Sequence, residues 1–131
     1  MQFTNNELYM LLNLHPIDRS LWLPRVDLSD AYLRRANLTE ANLTEANLSR
    51  TDLRVADLSY ADLSGANLSG ANLTDANLIR AGLSGTDLSG ANLTEVNLSG
   101  ANLSGARVTP EQLAQAKRLE GATMPDGTVH P

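Results

Sequence analysis

The chain has 131 residues, a length suited to one domain, and its net charge of −5 at pH 7 argues against generic nucleic-acid binding, which depends on neutralising phosphates. It holds no Cys, which excludes disulfides and thiolate metal sites, and no stretch reaches the roughly 20 apolar residues that a membrane span needs. Aromatic content is only 4%, and Leu and Ala supply nearly all the apolar surface, so the core is expected to be one small packing unit copied many times.

The first segment, residues 1–25, is expected to be an N-terminal cap. Asn5 or Asn6 is placed to N-cap a short helix with Leu8, Leu11 and Leu12 on one face, and Pro16 breaks it. The segment has no basic n-region, and the apolar run from Leu8 to Leu12 is too short for a signal sequence, so a cytoplasmic protein is expected. Trp22, the only Trp, stands in the irregular unit Leu21-Trp22-Leu23-Pro24-Arg25 and reads as a lid over the apolar end of the first regular coil.

From residue 26 to residue 109 the period is five. Leu recurs at every fifth position from Leu28 to Leu103, and Val108 continues the series. Two residues before each Leu stands Ala, replaced only by Val26, Thr51, Thr86 and Val96. Asn or Asp usually precedes the Leu, Ser or Thr usually comes after it, and the fifth position varies. A helix needs apolar residues at spacings of three and four, and a flat strand at every second residue; five fits neither. Ala and Leu two apart share one face of a short extended stretch, and the polar residues after them mark a bend. With a corner of about 90° per unit, four units close a square coil of 20 residues, and stacked coils pair their backbones about 4.8 Å apart. The Asn and Asp side chains are expected to bond backbone at the corners, and the Gly residues there to need positive φ or a close turn.

This pattern, as in ANLTE-ANLTE-ANLSR at 36–50 and ADLSG-ANLSG-ANLTD at 61–75, resembles the pentapeptide repeat family. The resemblance implies an all-β solenoid, a right-handed quadrilateral β-helix of about four coils. Hexapeptide β-helices, calcium-binding β-rolls and leucine-rich repeats do not match the spacing.

Beyond the repeat, Thr109-Pro110-Glu111-Gln112 reads as a capping box with Pro at the first helical position. The spacing predicts a capping helix over 110–119, running to about Arg118, with Leu113 sealing the last coil. Residues 120–131 are expected to be a tail with a Pro-Asp-Gly turn. Its MPDG ending resembles that of bacterial, especially cyanobacterial, members of the family. A sealed end blocks end-to-end association, so a monomer is expected.

No constellation for catalysis stands out. His15 and His130 lie at opposite ends of the chain, and Asp52, Asp57 and Asp62 fall on successive sides of a square coil, without the paired separation in a cleft that glycosidic chemistry needs. No Ser or Thr has a base beside it, and no phosphate-binding loop occurs; no enzyme, cofactor or metal site is expected. The variable outward residues carry what specificity there is. Sorting by twenty gathers Tyr32, Arg34, Arg35 and Arg54 near the N-terminal end of one face, Asp75 and Glu95 toward its C-terminal end, and Arg50 at the adjoining corner. This is the candidate partner-binding surface.

Three functions suit such a chain to different degrees. A rigid rod without chemistry fits a protein-interaction, scaffold or regulatory module, and the resemblance implies that some relatives regulate through protein contacts. It also implies DNA mimicry, since some members resemble duplex DNA and bind DNA gyrase. Here ten acids against six Arg in residues 26–109, with the Arg cluster interrupting any acidic stripe, fit that poorly. Ice or stress-surface binding would use rows of Thr, whereas these rows are mostly Ser and are broken by Arg34, Arg54 and Ile79.

Overall fold

A computed structural model describes residues 21–131. The expected helix with Leu8, Leu11 and Leu12, and His15 in its connection, lie outside the described residues. From Trp22 onward the chain forms parallel bridges between residues twenty apart, as in Trp22 with Asn42, Asn42 with Asp62 and Asn67 with Asp87. Four pentapeptides therefore make one turn of the solenoid, and the bridging position is the Asn/Asp before each Leu. Four sides result. Side one holds the units beginning at 21, 41, 61, 81 and 101; sides two, three and four begin five, ten and fifteen residues later.

The local chemistry explains the corner. In each unit the N–H three residues after the Leu donates to the Leu carbonyl, as Ala46 does to Leu43 at 3.0 Å and Ala76 to Leu73 at 2.9 Å, closing a tight turn. The fifth residue of the unit takes positive φ at every corner from Arg25 to Gly105, in eleven non-glycine and six glycine residues. The Asn or Asp side chain fixes that turn. Asn42 Oδ1 accepts the N–H of Thr44 at 3.1 Å and its hydroxyl at 2.8 Å, and Asp57 does the same for Ser59 at 3.0 and 2.7 Å. These are the corner bonds expected of Asn and Asp, and they also say why Ser or Thr comes after the Leu.

The core is the column of Leu and Ala. Every Leu from Leu28 to Leu103 is at most 2% exposed. Two inward positions carry Thr in place of Ala, and both hydroxyls are satisfied: Thr51 donates to Leu48 O at 2.7 Å and Thr86 to Leu63 O at 2.8 Å. Because each coil buries its Leu only against the coils beside it, stability is shared along the stack.

At both ends the structure redraws the expected boundaries. Leu21–Arg25 is a regular unit and not part of a cap: Trp22 bridges Asn42, and the Leu23 N–H donates to Asn42 O at 2.8 Å. Trp22 occupies the outward Asn/Asp position and is 75% exposed, so it is no lid; Leu21 and Leu23 turn inward instead. At the other end, α1 spans Pro110–Leu113 with the expected capping box, Gln112 N–H on Thr109 Oγ1 and Thr109 N–H on Gln112 Oε1. It stops well short of Arg118, because the ladder reclaims the chain: Lys117 N–H donates to Val96 O at 2.8 Å and Asn97 bridges Arg118. Four residues of helix stand where a strand unit would be, with Leu113 inward. The one extra residue shifts the later bridges to a spacing of 21, Asn97 with Arg118 and Asn102 with Thr123.

The expected tail is likewise structured. Ala122 is buried in the Ala position and Thr123 extends side one of the ladder. After the turn at Asp126 and Gly127 the chain folds back, with Thr123 and Val129 in an antiparallel bridge and His130 N–H on Ala122 O at 2.8 Å.

The break in the strand ladder at α1 is covered by a side chain. In a regular coil the Ala91 carbonyl would accept a backbone N–H from the unit stacked on it. Gln112 N–H is turned to Thr109, and its side-chain amide reaches Ala91 O at 2.9 Å and Leu88 O at 2.7 Å. A side-chain donor replaces the missing rung.

Candidate functional site

Side three and its two corners carry the candidate surface. Tyr32 bridges Asp52, so their side chains stand outward one above the other on stacked coils. Arg34 and Arg54 take the Ser/Thr position of the same two units, and Arg35 holds the corner next to Arg34. Tyr32, Arg34, Arg35 and Arg54 are thus brought together on two neighbouring coils, about 4.8 Å apart. Tyr32 is 58% exposed. Asp75 and Glu95 lie lower in the corner row of Arg35, with Val55 between Arg35 and Asp75. Arg50 stands on the other corner, between sides two and three.

The four Arg are not equivalent. Arg54 Nε and Nη2 grip Asp52 Oδ1 and Oδ2 at 2.8 and 2.7 Å. Arg50 holds Asp30, one coil earlier in its corner row, in the same two-pronged way at 2.8 and 3.0 Å. The Arg54 bond, and more weakly the charge of Arg34, keep the Asp52 carboxyl below its usual range. The Arg50 bond lowers that of Asp30. Arg34 and Arg35 have no ion pair among the described residues. The surface therefore offers two available guanidinium groups and one phenol, while Arg50 and Arg54 neutralise their own chain. Sequence spacing located the cluster; it did not reveal this division, because the pairing depends on side-chain reach, within one unit for Arg54 and Asp52 and between coils for Arg50 and Asp30.

The Ser and Thr rows are also less open than the sequence suggests. Most of their hydroxyls donate to the Asn or Asp two residues earlier, as in Ser49, Ser69, Thr74 and Ser104 at 2.6 to 2.7 Å. Ser49 and Ser59 are buried. Among the described residues, no three His, Cys, Asp or Glu gather to hold a metal ion, and no helix is long and apolar enough to cross a membrane.

The family profile for pentapeptide repeats (8 copies) matches residues 23–59, 56–94 and 71–109, a combined span of about two thirds of the chain. This chain belongs to the pentapeptide repeat family. Among solved structures it is similar to HetL, a pentapeptide repeat protein involved in heterocyst differentiation regulation from the cyanobacterium Nostoc sp. strain PCC 7120. The identity is 38% over 83% of this chain and 62% of that one, with a TM-score of 0.40. It is similar to Rfr23 from the cyanobacterium Cyanothece 51142, at 29% identity over 86% of each chain and a TM-score of 0.39. It is similar to alr5209 from Nostoc PCC 7120, at 31% identity over 72% of this chain and 85% of that one, with a TM-score of 0.36. This chain thus spans less than two thirds of the HetL chain. No curated protein matches it.

Proposed function

We propose that this pentapeptide repeat protein is a right-handed quadrilateral β-helix of about four coils that works in the cytoplasm as a non-enzymatic protein-interaction or regulatory module. Its partner docks on side three, at the cluster of Tyr32, Arg34 and Arg35. The observation that carries this reading is the unequal pairing of the Arg residues: Arg50 and Arg54 are tied to Asp30 and Asp52, while Arg34 and Arg35, beside an exposed Tyr, have no ion pair among the described residues. Arg and Tyr are the residue types that anchor interfaces most often. The resemblance to HetL, whose name ties it to the regulation of differentiation, is in keeping with a regulatory role. A composition without Cys suits a reducing compartment.

The acids speak against DNA mimicry. In the outward rows of residues 21–109, stacked units present acids in succession only at Asp75 and Glu95; elsewhere Asn, Gly, Tyr, Val, Ser, Thr or Arg intervenes. A duplex carries its phosphates at close and even spacing. A supercoiling assay with DNA gyrase is expected to show no effect at micromolar protein.

The docking surface is tested by affinity capture from the source cell with the wild-type chain and an Arg34→Glu/Arg35→Glu variant. A reproducible partner recovered by the wild type and lost by the variant, with unchanged thermal melting, is the expected result. Equal recovery by both chains counts against this surface.

A further inference from the structure

Side four and its corners carry outward residues that the fold does not require. Its two flanking corner rows read Arg35, Val55, Asp75, Glu95 and Glu40, Tyr60, Arg80, Gly100 on successive coils. Val55 and Tyr60 stand at the two neighbouring corners that bound side four on one coil, 41% and 53% exposed. Both hold left-handed backbone, with φ of 62° and 61°. For a β-branched residue that region is a true outlier, costly in any solvent-exposed turn. Gly, Asp and Arg fill the same position elsewhere, so the corner does not call for Val. Ile79, next to Arg80, stands where side four otherwise has Thr39, Ser59 and Ser99. Val55 and Tyr60 are thus exposed, and Ile79 half-buried, at outward positions that hold polar residues or Gly on other coils.

The charges around them have a symmetry. Arg35 lies diagonally across from Arg80, and Glu40 diagonally across from Asp75. Consider two copies laid side four to side four about a two-fold axis parallel to the rod. Each corner row then meets the other row of its partner at the same coil level. Asp75 faces Arg80, Val55 faces Tyr60 and Arg35 faces Glu40, and the symmetry makes each contact twice. Glu40 already has an interaction within its own chain, so the weight rests on the first two pairs. Asp75 and Arg80 have no ion pair among the described residues.

We propose that side four is a self-complementary surface on which a second copy of this chain docks with the two solenoid axes parallel. A two-fold axis perpendicular to the rod would also match these charges. It would be centred on the coil of Val55, however, and would leave the C-terminal coils overhanging. The parallel axis keeps every coil in register. The area sets the strength. A side roughly 10 Å wide and five coils tall, at about 4.8 Å per coil, covers on the order of 250 Å² per copy. A standard interface buries about 800 Å² per partner, so the dimer is weak and forms in the high micromolar to millimolar range.

Sedimentation of the full chain from about 10 µM to 1 mM tests this. The mass of the wild type is expected to rise with concentration toward twice 14.1 kDa. Arg80→Asp places an aspartate against Asp75 of the other copy, twice per dimer, and is expected to weaken association about tenfold. Asp75→Arg/Arg80→Asp restores opposite charges for parallel axes and is expected to recover association to within about threefold of wild type. For the perpendicular axis the same double change sets the introduced arginine against Arg35 and the introduced aspartate against Glu40, and it fails to rescue. Both residue types already occupy corners of this chain, as Asp30 and Arg50, so the variants are expected to fold, which circular dichroism checks. A wild type that remains monomeric at 1 mM overturns the proposal, as it would if a foreign protein were the occupant of this side. A double variant as weak as Arg80→Asp overturns the parallel arrangement.

Discussion

The first two coils and the last ones share a backbone and a core, yet they present different surfaces. From Arg25 to Tyr60 every corner residue carries a side chain, and none is Gly; from Gly65 to Gly105 six of nine corners are Gly. All of them sit at positive φ. The C-terminal coils use the residue that the corner favours. The N-terminal coils accept left-handed strain of about 1 kcal/mol or more at each corner and display Arg, Glu, Asp, Tyr and Val in return. The contrast separates what the solenoid needs from what it carries. Both the Arg34/Arg35 cluster and the Val55/Tyr60 pair lie in the strained part.

The largest expected effect tests whether the two regions share one core. Leu73→Asp at mid-stack is expected to cost more than about 4 kcal/mol, since it buries a charge between two coils. Leu28→Asp, nearer the N-terminal end, is expected to cost clearly less, because fraying one end leaves the remaining stack intact. Urea melts of equal midpoint would show that the stack has no such gradient.

A middle-sized effect concerns the corners themselves. Val55→Gly is expected to stabilise by about 1 kcal/mol, the relief of left-handed strain less the entropy cost of Gly. Gly85→Val makes the reverse change at a corner with φ of 65° and no atom within 4 Å of an added Cβ, and it is expected to destabilise by about 1–2 kcal/mol. Thermal melts that move in the same direction for both variants would remove strain as the distinction between the regions.

The smallest effect is electrostatic. Asp52 titrates below its ordinary value of 3.8 because Arg54 bonds its carboxylate. A lowered folded pKa contributes stability that is present above the unfolded pKa and is lost as pH falls through the folded one. The wild type is therefore expected to lose a small increment of stability on acidification below about pH 4. Asp52→Asn should flatten that part of the acid limb, while leaving the neutral-pH melt within about 0.5 kcal/mol of wild type.

The repeating part of the fold was legible because one period of five assigned nearly every side chain between residues 26 and 109 to the inside or the outside. The corner bonds of Asn and Asp and the capping box at Thr109 were legible too, since each is a local matter of two or three residues. The ends were not. Leu21-Trp22-Leu23-Pro24-Arg25 hid a regular unit behind an unusual outward residue. The helix at Pro110 was overestimated because local capping signals do not register that the ladder, through Val96 and Asn97, reclaims the chain a few residues later. The cluster of Tyr32, Arg34, Arg35 and Arg54 was found by counting in twenties. The capture of Arg50 by Asp30 and of Arg54 by Asp52 was missed, because side-chain reach is not written in a period.

The amide of Gln112 has a consequence on another scale. A solenoid whose final coil offers unfilled carbonyls is a template on which the next molecule adds its own coil, and so on without limit; rods of this kind polymerise by the same bonds that fold them. At Ala91 one such carbonyl is filled from within, by the side-chain amide of Gln112 at 2.9 Å. That rung needs no donor from a second molecule.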